Sequence, residues 1–169
     1  DWAQAHPRPQ DGFDLQGHRG ARGAYPENTI PAFLYALQQG CTTLELDVVV
    51  SRDSQIIVSH EPWFNPGICK AVTDTVNIYK LSWPEIQQWD YGSPGHKRFP
   101  QQARLPVAKP RLQDVVRAVD SVQRAQGLPP VQWNVEIKSM RLGDGRFHPA
   151  PATFARLLLH TMDSLGITP

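Results

Sequence analysis

The sequence predicts an α/β fold in which a largely parallel sheet packs against helices. Apolar runs rich in β-branched residues alternate with segments whose apolar residues recur at helical spacing. The 169 residues are enough for one domain with a buried core. The net charge of +1 gives no support for a nucleic acid or an acidic membrane surface as partner. No apolar run reaches the roughly 18 residues of a transmembrane helix.

The first segment, residues 1–12, is polar and rich in proline, and we expect it to form a loose N-terminal arm before a domain at 13–169. The chain does not begin with Met, and Ala3-Gln4-Ala5 resembles the end of a secretory cleavage site. This pattern slightly favours a periplasmic or secreted protein over a cytoplasmic one. A processed or engineered end explains it equally well.

Four short apolar runs predict strands, at residues 13–18, 43–48, 56–60 and 132–138. A helix is predicted from Asn28 to Gly40, with Asn28 or Thr29 as its cap and Pro31 in its first turn. Two later amphipathic helices are predicted over residues 112–127 and 154–165.

Between the third and fourth predicted strands, residues 61–110 are rich in Pro, Gly and aromatic residues and show little periodicity. Ser82 and Glu85 have the spacing of a capping box, which predicts a short helix near Trp83. We interpret this segment as an insertion carried outside the core.

Acidic residues occupy one face of two predicted strands, because side chains alternate along a strand. Glu45 and Asp47 share a face opposite the aliphatic residues of their strand, and Glu136 does the same on the last strand. Adjacent carboxylates inside a sheet repel one another and are costly to bury. Oxygen ligands of this kind suit Mg²⁺ or Ca²⁺ better than Zn²⁺, so the three acids predict a site for one divalent cation. Alternatively, the three acids simply lie at strand ends that are exposed to solvent and bind no cation.

Basic residues follow the strand ends, where parallel α/β folds place their chemistry. His18 and His60 each end an apolar run, and two imidazoles can act as general acid and general base near neutral pH. Arg19 and Lys138 could neutralise a phosphate. Together with a divalent cation, these groups favour phosphodiester cleavage over acyl transfer.

The remaining histidines, His6, His96, His148 and His160, are assigned structural or solvent-exposed roles. The two cysteines, Cys41 and Cys69, could pair or stay reduced, and Cys41 is typical of a small buried hydrophobe.

The motifs GHRGARG (17–23), PENT (26–29), ELD (45–47), VSH (58–60) and NVEIK (134–138) occur in one order along the chain. In this combination the sequence resembles the glycerophosphodiester phosphodiesterase family. The resemblance implies a TIM-type (β/α)₈ barrel with its site at the carboxyl ends of the strands. It also implies metal-dependent hydrolysis of glycerophosphodiesters to glycerol 3-phosphate and an alcohol.

Carried over position by position, the resemblance implies that His18 and His60 are the acid–base pair, with their individual roles left open. Arg19 and Lys138 would bind the substrate phosphate. The metal ligands would be Glu45, Asp47 and Glu136. The family commonly has Asp after the second histidine, and Glu61 stands there in this chain, which puts any support of His60 in question.

The resemblance covers only about the first four βα units of such a barrel, and we count the four predicted strands, including residues 56–60, as its parallel strands. A complete barrel typically needs about 250 residues. We therefore expect a fragment of a longer protein, or a chain completed by a second chain, that is poorly active and prone to associate by itself. The link from Asp47 to His60 is too short for a full crossover helix, and the resemblance implies an extended return outside the barrel.

Two alternatives to the glycerophosphodiesterase interpretation remain open. The same fold could act on another phosphodiester, as a lysophospholipase D does. The chain could also be an inactive fragment or binding module.

Overall fold

The computed structural model describes residues 12–71 and 74–167. Its main sheet is built around β2 (Thr43–Val50), which pairs in parallel with β1 (Gln16–Gly17) and with β6 (Gln132–Ile137). The first strand is shorter than predicted, although the Leu15 carbonyl already accepts from the N–H groups of Thr42 and Thr43. The predicted arm lies outside the described residues except for Gly12.

Two faces of very different character result from the alternation along β2. Leu44, Leu46 and Val48 are completely buried in the large apolar cluster of the protein. Val135 and Ile137 of β6 pack against the same cluster. The polar residues of both strands therefore lie on the other face, as the strand period predicts.

Three helices cover the apolar face: α1 (Ile30–Gln38), α3 (Leu112–Gln126) and α4 (Pro151–Ser164). Gly127 ends α3 in the left-handed conformation with φ of 64°, as glycine readily does. One of the two predicted N-cap residues of α1 does stand at the N-cap position, but the predicted capping hydrogen bond is absent. Thr29 is the N-cap residue, but its hydroxyl donates to the Pro26 carbonyl instead of accepting from the helix. No helix in the described ranges is long and apolar enough to cross a bilayer.

The return strand β3 (Ile56–Val58) pairs antiparallel with the end of β2, with Val48 opposite Val58. The predicted extended return is therefore confirmed, whereas counting residues 56–60 among the parallel barrel strands was wrong. Five residues between β2 and β3 are too few for a crossover helix, so the chain can only fold back as a hairpin.

This topology leaves a gap beside the middle of β2. β1 pairs with Thr43 and Leu44, and β3 pairs with residues 48–50. Residues 45–47 lie between these two pairings. The segment after β1 therefore approaches this gap from one direction along β2, and the segment after β3 approaches it from the other.

Residues 61–110 contain short elements around a second apolar cluster. Strands β4 (Trp63–Phe64) and β5 (Val76–Asn77) pair antiparallel, and a 3₁₀ turn (Ile78–Lys80) precedes α2 (Trp83–Ile86). The predicted capping interaction at α2 is present, because the Glu85 carboxylate accepts from the Ser82 N–H at 2.7 Å. The cluster contains Phe64, Ile78, Ile86 and Tyr91, and it packs under β2 and β3 through Val49 and Ile57.

Candidate active site

His18 and Arg19 lie on a tight turn that follows β1. Arg19 has φ of 51° and Gly20 has φ of 79°, and the Gly20 N–H donates to the Glu45 carbonyl at 3.4 Å. A Cβ at Gly20 would lie 2.7 Å from the backbone of Ala32 in α1. Glycine is required here because the turn packs directly on the helix.

The three predicted metal ligands come together. One carboxylate oxygen from each of Glu45, Asp47 and Glu136 lies within 4.8 Å of the others. The strand register produces this cluster, because Asp47 is directly opposite Glu136 in the β2–β6 pair. The side chain of Asp47 is only 1% exposed, whereas that of Glu136 is 58% exposed. The cluster therefore reaches from the buried centre of β2 to solvent.

The buried carboxylate of Asp47 is surrounded by donors. Lys138 Nζ lies 2.8 Å from its Oδ1, while the Asn28 amide donates to Oδ2 at 2.9 Å. Arg19 Nε is 3.2 Å from the same Oδ2. Burial acts to raise the pKa of Asp47, but the hydrogen bonds from Lys138 and Asn28 and the nearby cations outweigh it, so the pKa is lowered from 3.8. Asp47 is thus held as the anion.

Glu45 has the opposite electrostatic environment. It accepts from the Arg19 N–H at 2.7 Å, but burial and the neighbouring charge of Asp47 raise its pKa above 4.5. Ionised Glu45 therefore costs folding free energy at neutral pH, and a positive charge placed between these acids would relieve that cost.

A cation of the hard, oxygen-preferring class fits this donor set. Three carboxylates converge, and Lys138 Nζ bridges two of them, at 2.8 Å from Asp47 and 2.7 Å from Glu136. The cluster thus attracts a positive charge to a defined position. Lys138, assigned to phosphate by the sequence analysis, contacts the acids in this structure.

Arg19 is oriented by a residue that the sequence analysis missed. Its Nη1 donates to both carboxylate oxygens of Glu27, at 3.0 and 3.2 Å. Glu27 is itself only 4% exposed, and the Tyr91 hydroxyl donates to it at 3.5 Å. Glu27 and Asn28 belong to the PENT motif, so the signal was present, but Asn28 was interpreted only as a helix cap.

The two predicted catalytic histidines lie on the two segments that approach the gap beside β2 from opposite directions. His18 Nε2 is 3.9 Å from Glu45 Oε2, and its side chain is 58% exposed. After β3, the Ser59 N–H donates to the Asp47 carbonyl at 2.9 Å, which places this segment beside the acidic residues of β2. His60 follows, and its Nδ1 is 3.0 Å from Glu61 Oε1. Glu61 therefore contacts His60, although Glu stands where the family commonly has the shorter Asp.

Of the other histidines, His148 is completely buried. Its Nε2 accepts from the Met140 N–H at 2.9 Å, and its Nδ1 lies 2.9 Å from the Pro149 carbonyl. These contacts are those of a structural residue. His160 is exposed on α4, and His6 lies outside the described residues. Cys41 packs in the large cluster and Cys69 in the small one.

The comparison with known families matches residues 18–140 to the glycerophosphoryl diester phosphodiesterase family. All seven predicted site residues lie inside this range. The chain belongs to the glycerophosphoryl diester phosphodiesterase family. The geometry above is thus that of a member of a phosphoric diester hydrolase family.

Curated relatives of this family member include a glycerophosphodiester phosphodiesterase from Bacillus altitudinis, which is 46% identical over 123 residues. That match covers 72% of this chain and 44% of the relative. Human lysophospholipase D GDPD1 is 38% identical over 69 residues, which are 41% of this chain and 21% of that protein. The chain therefore spans less than half the length of these relatives.

Solved structures of the family share its fold. A candidate glycerophosphoryl diester phosphodiesterase from Silicibacter pomeroyi superposes with a TM-score of 0.78 at 24% identity, covering 98% of this chain and 58% of that one. The glycerophosphodiester phosphodiesterase from Agrobacterium tumefaciens gives 0.60 at 27% identity, with 92% and 54% covered. An Oleispira antarctica phosphodiesterase, solved in complex with the product sn-glycerol-3-phosphate, gives 0.64 at 22% identity, with 91% and 52% covered. The chain therefore has about half of a (β/α)₈ barrel of this family, as predicted.

Proposed function

We propose that this chain carries the acid–base pair and the divalent-cation site of an enzyme that hydrolyses glycerophosphodiesters to glycerol 3-phosphate and an alcohol. The observation that carries the proposal is the cluster of Glu45, Asp47 and Glu136 beside the gap that His18 and His60 approach from opposite directions. The match to the Bacillus altitudinis enzyme supports the same reaction class.

The three acids would hold one divalent cation, Mg²⁺ or Ca²⁺. When bound, the cation would neutralise charge on the phosphate oxygens and favour deprotonation of the attacking hydroxyl. Lys138 would then be free to turn from the acids towards the phosphate. Arg19, held by Glu27, would present its remaining N–H groups to the same phosphate.

The two histidines would move the protons. With Glu61 accepting from Nδ1, His60 has its Nε2 available for transfer. One imidazole takes a proton from the group whose oxygen bonds to phosphorus, either water or the neighbouring glycerol hydroxyl, and the other donates a proton to the alcohol oxygen as its bond to phosphorus breaks. Where the hydroxyl attacks, water then opens the cyclic phosphate to glycerol 3-phosphate. The His18 side chain is exposed enough to meet a substrate that enters from solvent.

Chelation of divalent ions is expected to abolish the activity. The test follows glycerophosphocholine by ³¹P NMR with the protein at the full length that its gene encodes. We expect glycerol 3-phosphate to form, EDTA to stop the reaction, and added Mg²⁺ or Ca²⁺ to restore it. A rate that EDTA leaves unchanged would contradict the cation site, and no hydrolysis with either ion would contradict the proposed reaction.

A second substrate class is favoured by the similarity to human lysophospholipase D GDPD1. The same assay with a long-chain lysophosphatidylcholine distinguishes the two. Faster release of choline from the lysophospholipid than from glycerophosphocholine would assign the lysophospholipase D reaction instead.

A further inference from the structure

Lys109 is a buried cation that the proposed reaction does not use. Its side chain is completely buried, and Nζ has no hydrogen-bond partner among the described residues. The segment that carries it runs beside β3, because the Val58 N–H donates to the Pro110 carbonyl at 2.8 Å. Lys109 is therefore fixed close to the chain that leads into His60 and Glu61.

Aromatic rings form one part of the surroundings of Lys109. Its Nζ lies 3.3 Å from the centre of the Tyr91 ring and 5.7 Å from that of Phe64. The Tyr91 ring face attracts the ammonium group, while the Tyr91 hydroxyl donates to Glu27. Lys109 thus supports the tyrosine that contacts the partner of Arg19.

Acidic groups form the other part of the surroundings of Lys109. Burial lowers the pKa of Lys109 to about 8, and the attraction of the carboxylates of Glu61, Glu27 and Asp47 opposes this effect, with Glu61 contributing most. Lys109 is therefore mainly protonated at neutral pH.

One carboxylate oxygen of Glu61 is also buried without a partner. Its Oε1 is 3.0 Å from His60 Nδ1, but its Oε2 is buried and has no hydrogen-bond partner among the described residues. A buried carboxylate oxygen is costly unless a positive charge compensates it. The ammonium of Lys109 is a buried positive charge that also lacks a hydrogen-bond partner among the described residues, and of the acidic groups around it Glu61 attracts it most strongly.

We propose that Lys109 is a positioning residue for both halves of the candidate site: it balances the charge of Glu61, which orients His60, and it supports Tyr91 against Glu27, which orients Arg19. The inference rests on the proposed function, because the roles of His60 and Arg19 are assigned there. Lys109 itself reaches neither the substrate nor the cation.

The test compares Lys109→Met, which keeps the apolar length and removes the charge, with Lys80→Met on the exposed 3₁₀ turn. In Lys109→Met we expect kcat to fall roughly tenfold because His60 loses its orientation, and KM to rise because Arg19 loses the support of Glu27. The ¹⁵N NMR signals of His60 should show loss of the preference for a proton on Nδ1. Lys80→Met should change neither. A Lys109→Met variant with a normal kcat and an unchanged His60 tautomer would overturn the proposal, even if it were less stable.

Glu61→Gln completes a double-mutant cycle. If Lys109 acts on His60 through Glu61, the double variant should have the tautomer preference and kcat of Glu61→Gln alone, whereas additive losses would overturn that route. The double variant lacks both buried charges, so the cycle stays informative if Lys109→Met alone fails to fold. His60→Asn distinguishes failure of the proposed function from failure of the Lys109 proposal. If His60 has no catalytic role, His60→Asn leaves the hydrolysis rate unchanged.

Discussion

Replacing Asp47 by Asn is expected to destabilise the protein by about 2–3 kcal/mol, because it leaves Lys138 and Arg19 without their shared buried anion. The loss should be smaller than for a fully buried pair, since Lys138 and Arg19 are 17% and 13% exposed and each retains another acidic partner. Chemical denaturation in the presence of a chelator measures the effect without the cation.

The matched control is Glu136→Gln, the same change at the exposed member of the acidic cluster. We expect it to alter the free energy of unfolding by less than about 0.5 kcal/mol, as for other exposed ion pairs. Both variants should nevertheless weaken binding of Mg²⁺ or Ca²⁺ in a calorimetric titration. Equal stabilities of the two variants would show that the charges around Asp47 do not hold it in place.

The destabilisation in Asp47→Asn should depend on pH in a defined direction. Because the pKa of Asp47 is lowered from 3.8 in the folded protein, its contribution is complete well above that value. It is lost as the pH falls below 3.8 and the carboxyl group takes up a proton. The difference between the wild type and Asp47→Asn should therefore shrink in acid.

Removing either predicted catalytic imidazole should cost most of the activity. We expect His18→Ala and His60→Ala each to lower kcat about 10²–10⁴-fold, the usual contribution of a positioned acid or base. His18 is 58% exposed, so its loss should leave the melting temperature almost unchanged. Hydrolysis of glycerophosphocholine across pH 5–9 by the protein at the full length that its gene encodes is the measurement.

The control for these variants is His160→Ala, an exposed histidine on α4. It should leave the rate unchanged. Each site variant should also remove one limb of the pH–rate profile, and which limb disappears assigns the acid and the base. Normal rates in both His18→Ala and His60→Ala would exclude them as the acid–base pair.

The strand faces could be predicted from the sequence because side-chain alternation is local. Glu45 and Asp47 had to lie opposite the aliphatic residues of β2, and burial in the structure agrees. That Asp47 stands opposite Glu136 depends on the register between strands about 90 residues apart. Such a register is set by packing of the whole sheet, so only the family resemblance could suggest it.

Other contacts were beyond local sequence reasoning. Asn is a residue type that commonly caps helices, but in the turn before α1 the Asn28 amide donates to Asp47 instead. Lys109 lies in a segment without periodicity, and nothing in its immediate sequence indicates burial. The short connection before β3 predicted an extended return, whereas its antiparallel pairing beside β2 required the structure.

On the proposed function, Glu45, Asp47 and Glu136 hold one divalent cation between the two histidines. Anomalous diffraction from crystals soaked in Mn²⁺ or Ca²⁺ tests it most directly. We expect one ion at about 2.0–2.6 Å from an oxygen of each carboxylate, with Lys138 Nζ displaced from its position between Asp47 and Glu136. Saturating ion in the crystal without density at this position, and Lys138 still bridging the two acids, would contradict it.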